Sequence, residues 1–182
     1  RHYQCALFYG AKTVLKIPSD CPLIDHEIID NVIKEFNRSR SDFCSNLHPA
    51  SFPDGLDVEV FKFTALKKAW KDATKDFHRE HTTPYIWDNP EIFKISNYLW
   101  ETKKNYSMTY RFTLDYQEDY DLINLIFKKL YKKNKFFKLK DILNLIKKEN
   151  NLMKINSKHI GVNWYKNHMN EIKTMDFTKI KQ

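Results

Sequence analysis

Two aspartates that follow strand-like runs are the residues best placed for chemistry in this sequence. Asp20 comes just after the β-rich run 12–17, and Asp115 comes directly after the apolar run 110–114. An acid at the end of a sheet strand lies where open α/β folds bind their ligands, so both carboxylates are expected to face one cleft. Mg²⁺ suits such a pair, because it is usually held by one or two carboxylates together with substrate phosphates.

Strand-like runs recur along the chain and predict the sheet that would position these aspartates. Each run is rich in β-branched residues or alternates between apolar and polar residues. The predicted strands are 12–17, 42–47, 58–63, 92–100 and 110–114. The strands at 58–63 and 92–100 lack a regular rhythm of one helix per strand, which favours a mixed sheet over a purely parallel one.

Apolar residues at helical spacing predict the helices between these strands. One helix covers 28–36 with Asp25 as its N-cap, and the others cover 65–77, 118–131 and 139–148. The stretch 79–86 is polar and then extended, and the last part of the chain is a short helix and a tail. The alternation of strands and helices, without a repeat or a linker, predicts one three-layer α/β domain over residues 1–182.

Composition argues against a disordered chain, a membrane-spanning protein and a disulfide-rich protein. Of the 182 residues, 42% are hydrophobic, which suffices for a core, and no apolar run approaches the length of a membrane span. The three cysteines lack metal-site spacing and are interpreted as reduced thiols in a cytoplasmic protein. The net charge of +8 reflects many lysines in 128–154. We interpret them as a solvated helix face and expect neither a membrane nor a nucleic-acid partner.

A glycine-rich phosphate loop is absent from the sequence. The chain holds only three glycines, Gly10, Gly55 and Gly161, and none lies in a dinucleotide-binding or Walker pattern. If the protein binds a nucleotide, the usual loop for its phosphates is not among these residues.

Several long motifs, in order, resemble one family. They are KIPSDCPLID at 16–25, SNLHPASFPDGLDVEVF at 45–61, REHTTPYIW at 79–87, MTYRFTLDYQEDYDLI at 108–123 and INSKHIGVNWY at 155–165. With them the chain resembles the bacterial cytidylyltransferases of spore-coat polysaccharide biosynthesis. These are relatives of the enzymes that make CMP-activated acidic sugars.

The resemblance implies a fold and a reaction. The fold would be the Rossmann-like fold of nucleotide-diphospho-sugar transferases, here without its N-terminal nucleotide-loop unit. The reaction would be Mg²⁺-dependent transfer of CMP from CTP to an acidic or amino sugar for surface polysaccharide. Because the loop that cradles the triphosphate is not in this chain, we expect activity from a full-length parent and little from these residues alone.

The resemblance also assigns roles to individual residues. Asp20 and Asp115 match the two catalytic, metal-binding aspartates. The residues expected to bind substrate are Asn46, Asp54, Glu59, Arg79, His81 and Arg111. For most of them a structural role is the alternative: a turn residue, a buried ion pair or a satisfied histidine, and for Arg111 a charge that balances the acids. Glu118 and Asp119 are interpreted as acids that cap a helix.

Two other functions and one assembly are compatible with the sequence. The chain could be a non-catalytic fragment or subunit of such an enzyme, or less plausibly a basic nucleic-acid-binding module. Relatives of this kind pair as homodimers, and the aromatic-rich stretch 79–100 is a candidate interface. The alternative is that these aromatic residues pack in the core of the monomer.

Overall fold

The computed structural model describes residues 1–100 and 104–161, and it builds them around one small sheet. The strands are β1 (Thr13–Lys16), β2 (Phe43–Ser45), β3 (Glu59–Lys62) and β4 (Ile95–Asn97). The helices are α1 (His2–Phe8), α2 (His26–Ser39), α3 (Phe63–Asp72), α4 (Asp76–Glu80), α5 (Pro84–Trp87), α6 (Gln117–Leu130) and α7 (Leu139–Lys148). Two 3₁₀ turns, Leu152–Lys154 and Ser157–His159, follow α7. The predicted tail from residue 162 onward lies outside the described residues.

The sheet is mixed, as the sequence predicted. Its strand order is β1-β3-β2-β4. Strand β3 runs antiparallel to both β1 and β2, whereas β4 runs parallel to β2. Val60 of β3 lies opposite Leu15 of β1 on one side and Cys44 of β2 on the other.

Helices cover both faces of the sheet, which gives the predicted three layers. Successive strand residues point to opposite faces. Cys44 and Val60 therefore face a core shared with α2, α6 and α7, whereas Phe43 and Phe61 face a second core shared with α1, α3 and α5. All four of these side chains are buried.

Asp25 fixes the start of α2 and ties it to α7. Its carboxylate accepts a hydrogen bond from the backbone amide of Glu27 at 2.8 Å, which confirms the predicted N-cap. The other carboxylate oxygen accepts from the backbone amide of Leu139, also at 2.8 Å. One buried acid thus satisfies amides at the starts of two helices that pack on the same core.

Two predictions in the middle of the chain are wrong. The stretch 79–86 is not extended, because it contributes to the short helices α4 and α5, and Pro84 begins α5. Proline suits the first position of a helix, where its fixed φ is helical and its missing N–H costs nothing. The predicted helix 65–77 ends earlier, at Asp72, because Ala73 takes extended backbone angles.

The aromatic residues of 79–100 pack within the monomer. Trp87 and Phe93 are buried in the core beneath α3, and both Tyr98 and Trp100 stack on Phe52 with ring centroids 5.8 and 5.5 Å away. The predicted strand 92–100 is only three residues long. The structure thus supports the core-packing alternative for these side chains, and the homodimer stays a prediction.

Among residues 1–100 and 104–161, no helix combines the length and the apolar character needed to cross a membrane.

Candidate active site

A backbone contact brings the segments of Asp20 and Asp115 together. The amide of Leu114 donates to the carbonyl of Asp20 at 2.9 Å, and the hydroxyl of Thr113 lies 3.4 Å from the same carbonyl oxygen. Asp20 lies in the turn after β1, and Asp115 directly follows Leu114. The two segments therefore meet at one place, although they are far apart in sequence.

The segment that precedes Asp115 has a different structure from the predicted one. Residues 110–114 do not form a strand of the sheet, so the prediction that Asp115 ends a sheet strand is wrong. Arg111 forms only an isolated bridge with Asp54, in which the amide of Phe112 donates to the carbonyl of Asp54 at 2.7 Å. The backbone bonds of this segment go to a loop and a turn instead of a neighbouring strand, which explains the difference.

Gly55 lets the loop approach this segment closely. Its φ is +91°, and a Cβ built on it would lie 2.3 Å from the backbone nitrogen of Thr113 and 2.4 Å from the carbonyl carbon of Phe112. No side chain fits there, and the backbone angle itself disfavours other residues. Glycine is thus required for Asp54 to reach the site.

Arg111 is the centre of the site. Its side chain is only 1% exposed, and it contacts three carboxylates. The guanidinium meets Asp119 with two hydrogen bonds, Nε at 3.0 Å and Nη2 at 2.9 Å. It also lies 2.6 Å from Asp115 and 3.4 Å from Asp54. Of the two roles that the sequence left open for Arg111, this geometry favours balancing the acids, since the guanidinium lies out of solvent.

Asp119 is a helix cap and also the partner of this buried arginine. Its Oδ2 accepts from the backbone amides of Asp115 and Tyr116, each at 3.1 Å, which confirms the predicted capping role. Its Oδ1 accepts from the side-chain amide of Asn156 at 2.9 Å. Burial alone would raise the pKa of Asp119, but the hydrogen bonds from Arg111 and Asn156 lower it below its usual value. The carboxylate is therefore held ionised.

Glu118 binds the second 3₁₀ turn, Ser157–His159, to the start of α6. It lies in the first turn of that helix, as predicted. Its carboxylate lies 3.1 Å from the ring nitrogen of His159 and 2.5 Å from the ammonium group of Lys158. The ring of His159 also stacks on Tyr116, with centroids 3.9 Å apart.

Negative charge exceeds positive charge at this site. Arg111 supplies one positive charge against the carboxylates of Asp54, Asp115 and Asp119. Burial and the neighbouring acids raise the pKa of Asp54 to about 6, although Arg111 opposes this. Burial and the charges of Asp54 and Glu59 raise the pKa of Asp57 to about 8. Such shifts report carboxylates that are withdrawn from water and lie close to one another.

Glu59 occupies a different network from the acids around Arg111. It is buried, pairs with Lys16 at 2.5 Å, and accepts from the hydroxyl of Thr83 at 2.6 Å. Asn46 is also buried, and its amide donates to the carbonyl of Leu56 at 2.7 Å and accepts from the amide of Val58 at 2.9 Å. Both side chains are therefore engaged in structural contacts, and neither is open to solvent.

Arg79 and His81 lie at the end of α4, on the side of the second core. Arg79 is exposed and lines a cavity of about 240 Å³ with residues that include Trp70 and Thr82. His81 is the C-cap of α4 and is half-buried. Of the predicted site residues, the structure thus joins Arg111 directly to Asp54 and Asp115, and it brings the Asp20 turn against the same segment. Asn46, Glu59, Arg79 and His81 lie outside this cluster.

Comparisons with known proteins identify the family. The profile of a family described as cytidylyltransferase matches residues 1–160. The chain belongs to the cytidylyltransferase family. A solved cytidylyltransferase from Leptospira borgpetersenii superposes with a TM-score of 0.75 at 30% identity, over 84% of this chain and 63% of that one.

Two curated proteins are similar to part of the chain. An uncharacterized protein of Methanocaldococcus jannaschii is 34% identical over 136 residues, which are 69% of this chain and 54% of that protein. The spore coat polysaccharide biosynthesis protein SpsF of Bacillus subtilis is 27% identical over 117 residues, which are 64% of this chain and 47% of that protein. This cytidylyltransferase chain spans about half the length of the curated relatives it matches.

Two residues close to the acids around Arg111 were not predicted from the sequence. Asp57 lies in the turn-rich stretch 51–57, where acids are common, although the spacing of Asp54, Asp57 and Glu59 places three acids within six positions. Asn156 carries no such signal, because an asparagine in a polar stretch looks like an ordinary turn residue. Only the fold shows that it reaches Asp119.

The carboxylates of Asp20 and Asp115 are ligands of the kind that Mg²⁺ prefers. Among the described residues, no three or more histidine, cysteine or acidic side chains form a ready-made metal cage. Mg²⁺ does not need one, since it keeps several waters and binds one or two carboxylates plus phosphates. Asp115 is 48% exposed and Asp20 is partly exposed, so both carboxylates are open to a cation from solvent.

Proposed function

We propose that this chain carries the metal-binding and sugar-side part of an enzyme that transfers CMP from CTP to an acidic or amino sugar. One observation carries the proposal: a group of acids around a single buried arginine, formed where the Asp20 turn meets the segment that ends in Asp115. The resemblance to SpsF supports a role in surface polysaccharide synthesis. The substrate class, the Mg²⁺ requirement and this role belong to the proposal.

The chemistry asks for positioning and charge neutralisation. A hydroxyl oxygen of the sugar attacks the α-phosphorus of CTP and releases its proton to solvent. A new O–P bond forms, and the bond from that phosphorus to the oxygen it shares with the β-phosphate breaks to release pyrophosphate. Bound Mg²⁺ would supply positive charge to the phosphates. Asp20 and Asp115 would hold the ion, while Arg111 keeps Asp115 in place and prevents the buried acids from repelling one another.

Some of the remaining polar residues are proposed to bind substrate, and others stabilise the loop and the sheet. We propose that Asp54, 24% exposed at the edge of the acid group, meets a sugar hydroxyl, and that exposed Arg79 binds a carboxylate or phosphate with two parallel hydrogen bonds. His81 would assist it. Asn46 and Glu59, also predicted to bind substrate, instead support the loop and the sheet through their buried bonds.

A pyrophosphate-release assay with CTP, MgCl₂ and a panel of sugar acids and amino sugars tests the proposal. The Leptospira cytidylyltransferase provides a longer family member for comparison in the same assay. We expect CTP turnover by this chain alone to be slow, because its 182 residues contain no glycine-rich phosphate loop. If turnover is too slow to detect, calorimetry measures whether the chain binds CTP and Mg²⁺.

Two results would redirect the proposal. If neither CTP nor Mg²⁺ binds, alone or together, the chain is a non-catalytic relative and the magnesium site is wrong. The proposed homodimer is tested by light scattering: a strict monomer of 22.0 kDa at every concentration would exclude it.

A further inference from the structure

Asn156 lies buried where Arg111 and Asp119 meet. It has no exposed surface, and its side-chain amide donates to the backbone carbonyl of Arg111 at 3.0 Å and to Asp119 Oδ1 at 2.9 Å. Asn156 lies just before the second 3₁₀ turn after α7. The part of the chain that follows the last helix therefore reaches the supports of the site.

Asp119 links Asn156 to Asp115 through the guanidinium of Arg111. Each oxygen of the Asp119 carboxylate is engaged: Oδ1 by Asn156 and Arg111 Nε, and Oδ2 by Arg111 Nη2 and two backbone amides. Arg111 Nη2 is shared, since it also lies 2.6 Å from Asp115 Oδ2. Any rotation of the Asp119 carboxylate would thus move the donor that orients Asp115.

Burial of the Asn156 side chain is energetically unfavourable in one respect, and packing alone does not explain why an asparagine is present. Its Oδ1 is buried and accepts no hydrogen bond from the residues that the structure describes. A buried acceptor without a partner is unfavourable, and an apolar residue would avoid it. An aspartate here would place another carboxylate against Asp119. The asparagine is therefore suited to one task, which is donation from its NH₂ group.

We propose that Asn156 is a positioning residue that holds Asp115 in the orientation needed to bind a divalent cation. The inference rests on the proposed function, which places the cation at Asp115. Under this proposal, the affinity of the site for the cation depends on Asn156, which does not contact the cation. Groups that orient metal ligands commonly change metal affinity by about 10- to 100-fold when they are removed.

The test is a Mn²⁺ titration of the whole chain in the presence of CTP, with free Mn²⁺ measured by electron paramagnetic resonance. Asn156→Ala is expected to weaken Mn²⁺ binding by about tenfold. The matched control is Asn144→Ala on the exposed face of α7, which should bind Mn²⁺ as the wild type does. Asp115→Asn shows what loss of the ligand itself does.

A second readout reports the orientation directly. The Nε–H signal of Arg111 in NMR should shift in Asn156→Ala and stay unchanged in Asn144→Ala. If Asn156→Ala does not fold, Asn156→Leu takes its place, because leucine has a similar volume and no hydrogen-bond donor. A shifted signal together with weaker Mn²⁺ binding supports the proposal.

The failures are distinguishable. Wild-type Mn²⁺ affinity in a folded Asn156 variant, while Asp115→Asn binds weakly, overturns the positioning role and leaves the metal site intact. No Mn²⁺ binding that depends on Asp115 in the wild type overturns both the positioning role and the proposed metal site.

Discussion

The backbone carbonyl of Asp20 accepts a hydrogen bond from the backbone amide of Leu114 at 2.9 Å. This contact joins the turn after β1 to the segment that leads into α6, and it uses no side-chain atom of either aspartate. Substitutions of the Asp20 and Asp115 side chains therefore leave the junction intact, so they report on the chemistry of the carboxylates with little effect on the fold.

Asp115→Asn should weaken the binding of divalent cations and slow any nucleotidyl transfer. The amide keeps the shape of the side chain but removes a charge and a metal ligand. In an active, family-length enzyme, loss of one ligand should cost roughly a hundredfold or more in rate. In this chain, calorimetry with Mg²⁺ and CTP measures the loss. Asp121→Asn, an exposed acid of α6, is the control and should bind as the wild type does.

Arg111→Met should strongly destabilise the fold. Removing the guanidinium leaves Asp119 buried without its cation, and breaking one side of a buried ion pair costs about 3–5 kcal/mol. Urea denaturation followed by circular dichroism measures the free energy of unfolding. Arg38→Met is the matched control, because Arg38 pairs with Glu35 but is 78% exposed, and such pairs contribute about 1 kcal/mol or less. Equal losses in the two variants would argue against a buried network.

Asp119→Asn should behave like Arg111→Met, and not like loss of an ordinary helix cap. The amide would still accept some bonds, but the arginine would keep only the partly exposed carboxylates of Asp54 and Asp115 as counter-charges. A cap alone is worth about 1 kcal/mol. A loss of unfolding free energy that stayed near that value would show that the ion pair adds little.

Gly55→Ala should destabilise the protein far more than Gly10→Ala. Both glycines have positive φ, but the added Cβ at Gly55 would overlap the backbone of Phe112 and Thr113, whereas nothing lies within 4 Å of one at Gly10. The strain of a left-handed alanine alone is about 1–2 kcal/mol. Gly55→Ala should add about 1–3 kcal/mol for the overlap. Thermal unfolding of the two variants side by side tests this, and similar melting temperatures would contradict the close approach of the loop.

The layers of the fold were predictable from the sequence, because they follow from local patterns. Residues Ile28, Val32 and Phe36 recur at helical spacing, and the structure buries all three on one face of α2. The N-cap Asp25 was predictable for the same reason. Short elements such as α4 and α5 were not, since a helix of four or five residues has too few positions to show a period.

The site was predictable only in part. Asp20, Asp115, Asp54 and Arg111 were singled out, yet the strand thought to carry Asp115 is a backbone segment held by a loop and a turn. Burial decides which acid faces solvent and which holds the arginine, and burial is a property of the whole fold. Asn156 could be found only there, because its bonds to Arg111 and Asp119 cross 45 and 37 positions.

Stability should fall as pH rises through the neutral range, and Asp57 should cause part of the fall. The pKa of Asp57 is raised by burial and neighbouring acids from 3.8 to about 8. Between these values the folded chain holds a proton that the unfolded chain has released. Stabilisation from that proton is fully present below about pH 4 and is lost as pH rises through about 8.

Asp57→Asn removes this titration, since the amide is neutral at every pH. Relative to wild type, the variant should gain about 1 kcal/mol or more in unfolding free energy between pH 5 and pH 8, because one pKa unit corresponds to about 1.4 kcal/mol. Urea midpoints at the two pH values measure the difference. Asp30→Asn, an exposed acid of α2, is the control and should follow the wild type. Added MgCl₂ should reduce the wild-type decline, because a nearby cation favours the ionised carboxylate. If the difference between Asp57→Asn and wild type were the same at both pH values, Asp57 would not hold a proton in the folded state.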